Sequence, residues 1–206
     1  ANGDTISKTT SKTGNADLVV ASWTPGTTSA GHANQRFLYN TQDGNLYFDS
    51  DGNLIVCDAY LGLLSISPSA HVKTLVDQVD GIPLGFANDL DIAADGKIYF
   101  TDASTKWNQA NYMLDLLEGR PYGRFIVYDP VLDQAKVLLD ELYFPNGVAL
   151  SSEEEFVLIN ETWRYRILRY WLRGNLAGKK EIFLENLPGF PDGVSNNDRG
   201  TFWLAM

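Results

Sequence analysis

Asp51-Gly52-Asn53-Leu54-Ile55-Val56-Cys57-Asp58-Ala59 returns as Asp95-Gly96-Lys97-Ile98-Tyr99-Phe100-Thr101-Asp102-Ala103, with the two glycines 44 residues apart. Each copy is a tight turn followed by a β-branched and aromatic run that ends in an acid. A third copy is Glu154-Glu155-Phe156-Val157-Leu158-Ile159-Asn160-Glu161, and a fourth begins at Arg199-Gly200-Thr201-Phe202-Trp203-Leu204. A repeat of this length made of strand-forming residues points to four-stranded propeller blades rather than a helical solenoid. The expected fold class is therefore all-β, a β-propeller.

Working outward, the spacing predicts four strands per unit: 45–48, 53–58, 62–66 and 72–76; then 89–93, 97–102, 124–128 and 135–139; then 147–150, 156–161, 166–172 and 181–185. A last unit opens near Gly193 and gives two strands. Residues 1–42, rich in Thr, Ser and Gly, fit the repeat poorly and read as a disordered lead-in or a partial first blade. Residues 43–206 read as a partial propeller, about three and a half to four and a half blades where closed propellers carry four to eight. Open strand edges are a liability, so the expectation is that the sequence is part of a longer protein.

A second repeat precedes the first strand of each unit. Phe144-Pro145-Asn146-Gly147 recurs as Phe190-Pro191-Asp192-Gly193, and Phe86-Ala87-Asn88-Asp89 is the earlier copy. Asn88 and Asn146 are 58 apart, longer than the period, which locates an insertion at 108–121 containing the helix-like Tyr112-Met113-Leu114-Asp115-Leu116-Leu117-Glu118. One period before Asn88 stands Gly44, which has no side-chain donor. First strands line a propeller's channel, so Asn88, Asn146 and Asp192 are expected to converge at one end of the axis. Short oxygen donors, two neutral and one anionic, suit a hard divalent cation, Ca²⁺ above all. Each copy taken singly is also a common turn sequence.

Asp58, Asp102 and Glu161 end the second strands on the same face, where hydrogen bonding to backbone is the expected role for most of them. The insertion should form a lid or wall there, and Trp107, Tyr112, Glu161 and Trp163 are the candidate substrate-pocket residues. With two histidines, His32 and His71, and one cysteine, a soft-metal site is not expected. Cys57 lies in an apolar run and reads as a core thiol, not a nucleophile. The sequon Asn160-Glu161-Thr162 falls inside a predicted strand.

The formal net charge of -10, with no basic patch, argues against a nucleic-acid partner. No apolar run approaches the roughly 18 residues needed to span a membrane. No signal peptide is visible, and the compartment stays open. The expected partner is a small molecule, a lactone, ester or similar substrate.

The ordered motifs Asn88-Asp89-Leu90-Asp91-Ile92, Tyr112 to Pro121, Gly123-Arg124, Phe144-Pro145-Asn146-Gly147-Val148 and Leu187-Pro188-Gly189-Phe190-Pro191-Asp192-Gly193 resemble the strictosidine synthase-like family, which includes the adipocyte plasma membrane-associated proteins. The resemblance covers about residues 45–206. It implies a six-bladed, calcium-dependent propeller related to gluconolactonases and paraoxonases, with Asn88, Asn146 and Asp192 as axial metal ligands. The glutamate that gluconolactonases supply from the first blade has no counterpart in residues 1–42. The glutamate on which strictosidine synthase relies would follow Met206. Three functions are open on this basis. The first is metal-assisted hydrolysis of a lactone or ester, with Asp192 or a water at the cation as base. The others are a strictosidine synthase-type carbon–nitrogen lyase, and a non-catalytic binding propeller braced by metal.

Overall fold

The computed structural model describes residues 47–67, 69 and 71–206, together with the backbone of two strands, Thr5–Thr13 (β1) and Ala16–Thr24 (β2), which pair antiparallel. Three four-stranded antiparallel sheets follow. The first holds Tyr47–Phe48 (β3), Leu54–Asp58 (β4), Gly62–Ile66 (β5) and Val72–Val76 (β6). A small hairpin of Gln78–Val79 (β7) and Ile82–Pro83 (β8) leads to the second. That sheet holds Ala87–Ile92 (β9), Ile98–Asp102 (β10), Gly123–Asp129 (β11) and Gln134–Leu142 (β12). The third holds Pro145–Leu150 (β13), Phe156–Glu161 (β14), Arg166–Trp171 (β15) and Lys180–Leu184 (β16). Val194–Asn196 (β17) and Phe202–Leu204 (β18) begin a fourth. The repeat is thus the blade, and the fold is a β-propeller.

The turn chemistry matches the repeat. Gly52, Gly96 and Gly200 all take positive φ (+77, +85 and +77), where a side chain is strained. Upstream polar side chains close these turns. Asp49 accepts the amides of Asp51 and Asn53, Asp95 that of Lys97, and Asn197 those of Arg199 and Thr201. The third copy has no glycine, and there Glu154 takes the positive φ instead.

The core lies between blades. Ile98, Phe100 and Ile126 face the first blade, packing with Ile55, Leu63 and Val76. The alternate residues Tyr99 and Phe125 face the third, packing with Val148, Val157, Ile159, Leu168 and Tyr170. All five residues of β10 are buried. A strand covered on both faces loses the apolar-polar alternation of a one-sided sheet, which is why Ile98-Tyr99-Phe100 reads as a continuous run. Each such side chain contributes about 1.5–3 kcal/mol through burial.

The strand-end acids hold the blades' loops. Asp102 is fully buried; one oxygen accepts the amides of Gly85 and Phe86, at 3.1 and 2.8 Å, and the other pairs with Arg124 at 2.8 Å. Arg124, directly across on β11, also donates to the carbonyl oxygens of Val79, Ile82 and Pro83. Glu161 repeats the device one blade on, accepting the Tyr143 amide and pairing with Arg166, its cross-strand partner on β15. Asp58 faces Gly62 instead of an arginine and accepts the amides of Tyr60 and Leu61 in its own turn. Among the described residues no helix is long and apolar enough to cross a membrane.

Candidate functional site

Asn88 lies in β9, Asn146 in β13, and Asp192 two residues before β17. The two asparagines occupy the same irregularity. In the second blade, Phe100 pairs with Leu90 but Asp102 with Ala87, so three steps on β9 oppose two on β10. In the third, Ile159 pairs with Val148 but Glu161 with Pro145. Each is a β-bulge, a device that re-aims a side chain and releases backbone groups from the ladder. The bulges contain Asn88-Asp89 and Asn146-Gly147.

One released amide is taken up within its own blade and the other by the next blade. The Asp89 amide donates to Thr101 Oγ1 at 3.3 Å, and that hydroxyl donates onward to the Asn146 carbonyl at 2.8 Å. The Gly147 amide donates to the Asp192 carbonyl at 2.8 Å, and Asn160 Nδ2 donates to the same oxygen at 2.8 Å. A Cβ at Gly147 would stand 2.4 Å from that carbonyl, so the approach requires glycine. These contacts link the Asn88-Asp89 bulge to Asn146, and the Asn146-Gly147 bulge to Asp192. Asn88 and Asn146 are half-buried and Asp192 is exposed.

The repeated phenylalanines join in a wall of rings. Phe86 meets Phe144 edge-on at 5.6 Å; Phe144 lies 4.5 Å from Trp163; Trp163 meets Phe190 at 5.4 Å. The insertion comes to this wall. Its helix, Tyr112–Glu118 (α1), puts the Tyr112 ring 6.2 Å from Phe144 and the buried Asp115 carboxylate 2.9 Å from Trp163 Nε1. The helical excursion expected from the long Asn88–Asn146 spacing is thus present on the expected face. Burial raises the Asp115 pKa. Trp107 is half-buried, donates to Glu118 at 2.9 Å, and lies under the Lys106 ammonium.

Tyr112 and Trp163, two of the four expected pocket residues, therefore share the aromatic wall, and Trp107 is tied to the end of α1. Glu161 is different: it is fully buried and both its oxygens are committed, to the Tyr143 amide and to Arg166. Asn160 is also fully buried, so the folded chain does not present the sequon. The Cys57 thiol reaches the Asp89 carbonyl at 3.7 Å, and burial raises its pKa, with Asp89 adding to the effect. His71 is exposed, and His32 and Gly44 lie outside the described residues.

Sequence reasoning missed Asp89 and Asp91, although acids two apart in an inner strand were a usable signal. They reach across to β13, where Asp89 accepts the Val148 amide at 3.0 Å and Asp91 the Leu150 amide at 2.7 Å. Burial pushes Asp89 up to about 7, with repulsion from Asp91 and Asp192 adding to it, and pushes Asp91 up to about 6. The usual aspartate value is 3.8. Between these values the folded chain keeps protons that the unfolded chain has released, so stability should fall as pH rises from about 4 to about 7. Urea midpoints measured across that window should show the decline, and Asp89→Asn should flatten it. An equal slope in parent and variant would remove Asp89 as its source.

The family described as strictosidine synthase matches residues 88–175. The strictosidine synthase-like protein 13 of Arabidopsis thaliana is 43% identical over 164 residues, covering 79% of this chain and 40% of its own length. The chain thus spans about two-fifths of that relative. Among solved structures, a gluconolactonase from Xanthomonas campestris superposes with a TM-score of 0.63 at 21% identity, over 77% of this chain and 54% of that one. The calcium-binding protein regucalcin from Agrobacterium tumefaciens gives a TM-score of 0.61 at 16% identity, over 77% and 51%. These two likenesses bear on the fold.

Proposed function

This chain belongs to the strictosidine synthase-like family of β-propellers, and from that premise we propose that it carries the axial cation site of a calcium-dependent lactonase or esterase-type hydrolase. The observation that carries the reading is a chain of hydrogen bonds between neighbouring blades: the Thr101 hydroxyl ties the Asn88-Asp89 bulge to the Asn146 carbonyl, and the Gly147 amide and Asn160 side chain hold the Asp192 carbonyl. The donor chemistry fits a hard divalent cation: two amide oxygens and one carboxylate. So does the surrounding polarity. Asn160 Oδ1, whose amide nitrogen bonds the Asp192 carbonyl, is buried without a hydrogen-bond partner among the described residues. The names of the fold neighbours, a gluconolactonase and a calcium-binding protein, agree with this class of site.

In this reading Asn88, Asn146 and Asp192 hold the ion, which when bound polarises the carbonyl oxygen of a lactone or ester. Asp192 is the candidate base: it is exposed, whereas Asp58, Asp102 and Glu161 are occupied by backbone amides. It would take the proton of the attacking water. Tyr112, Trp163 and Phe190 supply an apolar wall for the substrate's organic part, with Trp107 at its margin.

The test is turnover of a panel of lactones and aryl esters by the full-length protein, before and after chelation. Hydrolysis that disappears with chelator and returns with calcium is the expected result. Calcium binding without turnover of any panel member would replace the hydrolase by a metal-braced binding propeller. Turnover indifferent to chelation would remove the cation from the reaction.

A further inference from the structure

We infer that Thr101 and Asn160 are positioning residues, each holding the axial donor of the following blade through its backbone carbonyl; the inference rests on the cation reading above. The two occupy the same register, one residue before the acid that ends a second strand: Thr101 before Asp102 on β10, Asn160 before Glu161 on β14. Both are fully buried. Their chemistry differs, a hydroxyl and an amide, yet each donates at 2.8 Å to the carbonyl of a proposed donor residue, Asn146 and Asp192 respectively. In the same register of the first blade, Cys57 makes a long thiol contact to the Asp89 carbonyl, at 3.7 Å.

The placement has a mechanical consequence. Asn88 and Asn146 sit in bulges, where the ladder no longer fixes the backbone. A bulged peptide can rotate unless something holds its groups. Thr101 does so for two blades at once: it accepts the amide of Asp89, within the first bulge, and donates to the carbonyl of Asn146, within the second. Asn160 and the Gly147 amide together hold the Asp192 carbonyl from the blade before it. Pinning a residue's carbonyl limits its ψ and so limits where its side-chain oxygen points. Hard cations with fixed oxygen distances respond to such pre-organisation. A staple that served only stability could stand at any buried position along β10 or β14; these stand at the donors.

The experiment is calcium titration calorimetry on the full-length protein, with europium luminescence lifetimes in H₂O and D₂O as a count of the waters on the ion. Thr101→Val keeps volume and removes the donor. Asn160→Leu keeps the branched shape and removes the amide. Each should weaken calcium binding about tenfold, the worth of one buried hydrogen bond, and should raise the water count. Thr101→Ser, which keeps the hydroxyl and loses the methyl, should bind like the parent even where its thermal stability falls. Binding that follows stability instead, with Thr101→Ser as weak as Thr101→Val, would overturn the positioning role. So would parental titration by both Thr101→Val and Asn160→Leu when Asp192→Ala has lost binding; the cation reading would then stand without this inference. A parent that binds no calcium, or an Asp192→Ala that binds like it, would overturn the cation reading and the positioning role with it. Should one variant fail to fold, the other still decides, because the two residues hold different donors.

Discussion

Replacing Arg124 by methionine is expected to lower the unfolding free energy by about 3–5 kcal/mol, the cost of stranding one member of a buried ion pair. Asp102 has no exposure to water, and among the described residues only Arg124 donates to the oxygen that faces it. The same guanidinium holds the carbonyls of Val79, Ile82 and Pro83, so the substitution also frees the hairpin that carries the chain from the first blade to the second. The effect should appear as a lower urea midpoint with an unchanged denaturant slope. Arg124→Met combined with Asp102→Leu should recover part of the loss, since an apolar pair leaves no unpaired charge. Arg166→Met should cost less, because Arg166 is more exposed than Arg124. A single-variant loss below about 1 kcal/mol, the worth of a surface pair, would show that the Arg124–Asp102 pair does not secure the blade junction.

Neither ion pair was legible in the sequence, although both acids stood out and Arg124 lies in one of the ordered motifs. The reason is spacing. Asp102 and Arg124 are 22 residues apart because the insertion lies between them, whereas Glu161 and Arg166 are five apart, so no period joins the two pairs. Strand spacing, by contrast, was legible almost to the residue. A run expected at 97–102 is the strand Ile98–Asp102, and the helix-like segment 112–118 is α1. These features follow from local patterning: turn residues, β-branched runs, and a distance between motifs too long for one blade. The inner strands were read less well, expected from 89 and 147 but starting at Ala87 and Pro145. The bulges account for this. One extra residue leaves the sequence pattern unchanged, yet it shifts the pairing and draws Asn88 and Asn146 into the strands. Thr101 and Asn160 were hidden for a related reason. Their partners lie in the next blade, 45 and 32 residues away, and the two side chains share a function but not a chemical type.

Asp192→Ala is expected to abolish tight calcium binding and hydrolytic activity in the full-length protein, while Asp58→Ala retains much of both. Asp192 is the only anion among the three proposed donors, and hard divalent cations bind chiefly through carboxylates, with neutral oxygens completing the shell. Asn88 and Asn146 alone compete poorly with water for the ion. Asp89, the neighbouring acid, does not replace it: its oxygens accept the amides of Leu90 and Val148, and burial pushes its pKa up to about 7. The fold should survive, because the contacts that anchor this segment use the Asp192 backbone and not its side chain: its amide donates to Ala205, and its carbonyl accepts from Gly147 and Asn160. A thermal midpoint near the parent's would confirm that the loss is local. Activity should stay absent at saturating calcium, since the substitution removes the proposed base along with the charge. Asp58 holds the turn at Tyr60 and Leu61 in the first blade, so its replacement should loosen that turn and leave the ion site occupied. Calcium titration of the two variants decides the matter. Parental affinity in Asp192→Ala would return Phe190-Pro191-Asp192-Gly193 to the status of a turn. Lost affinity with retained turnover would keep the cation site and remove both the ion and Asp192 from the reaction.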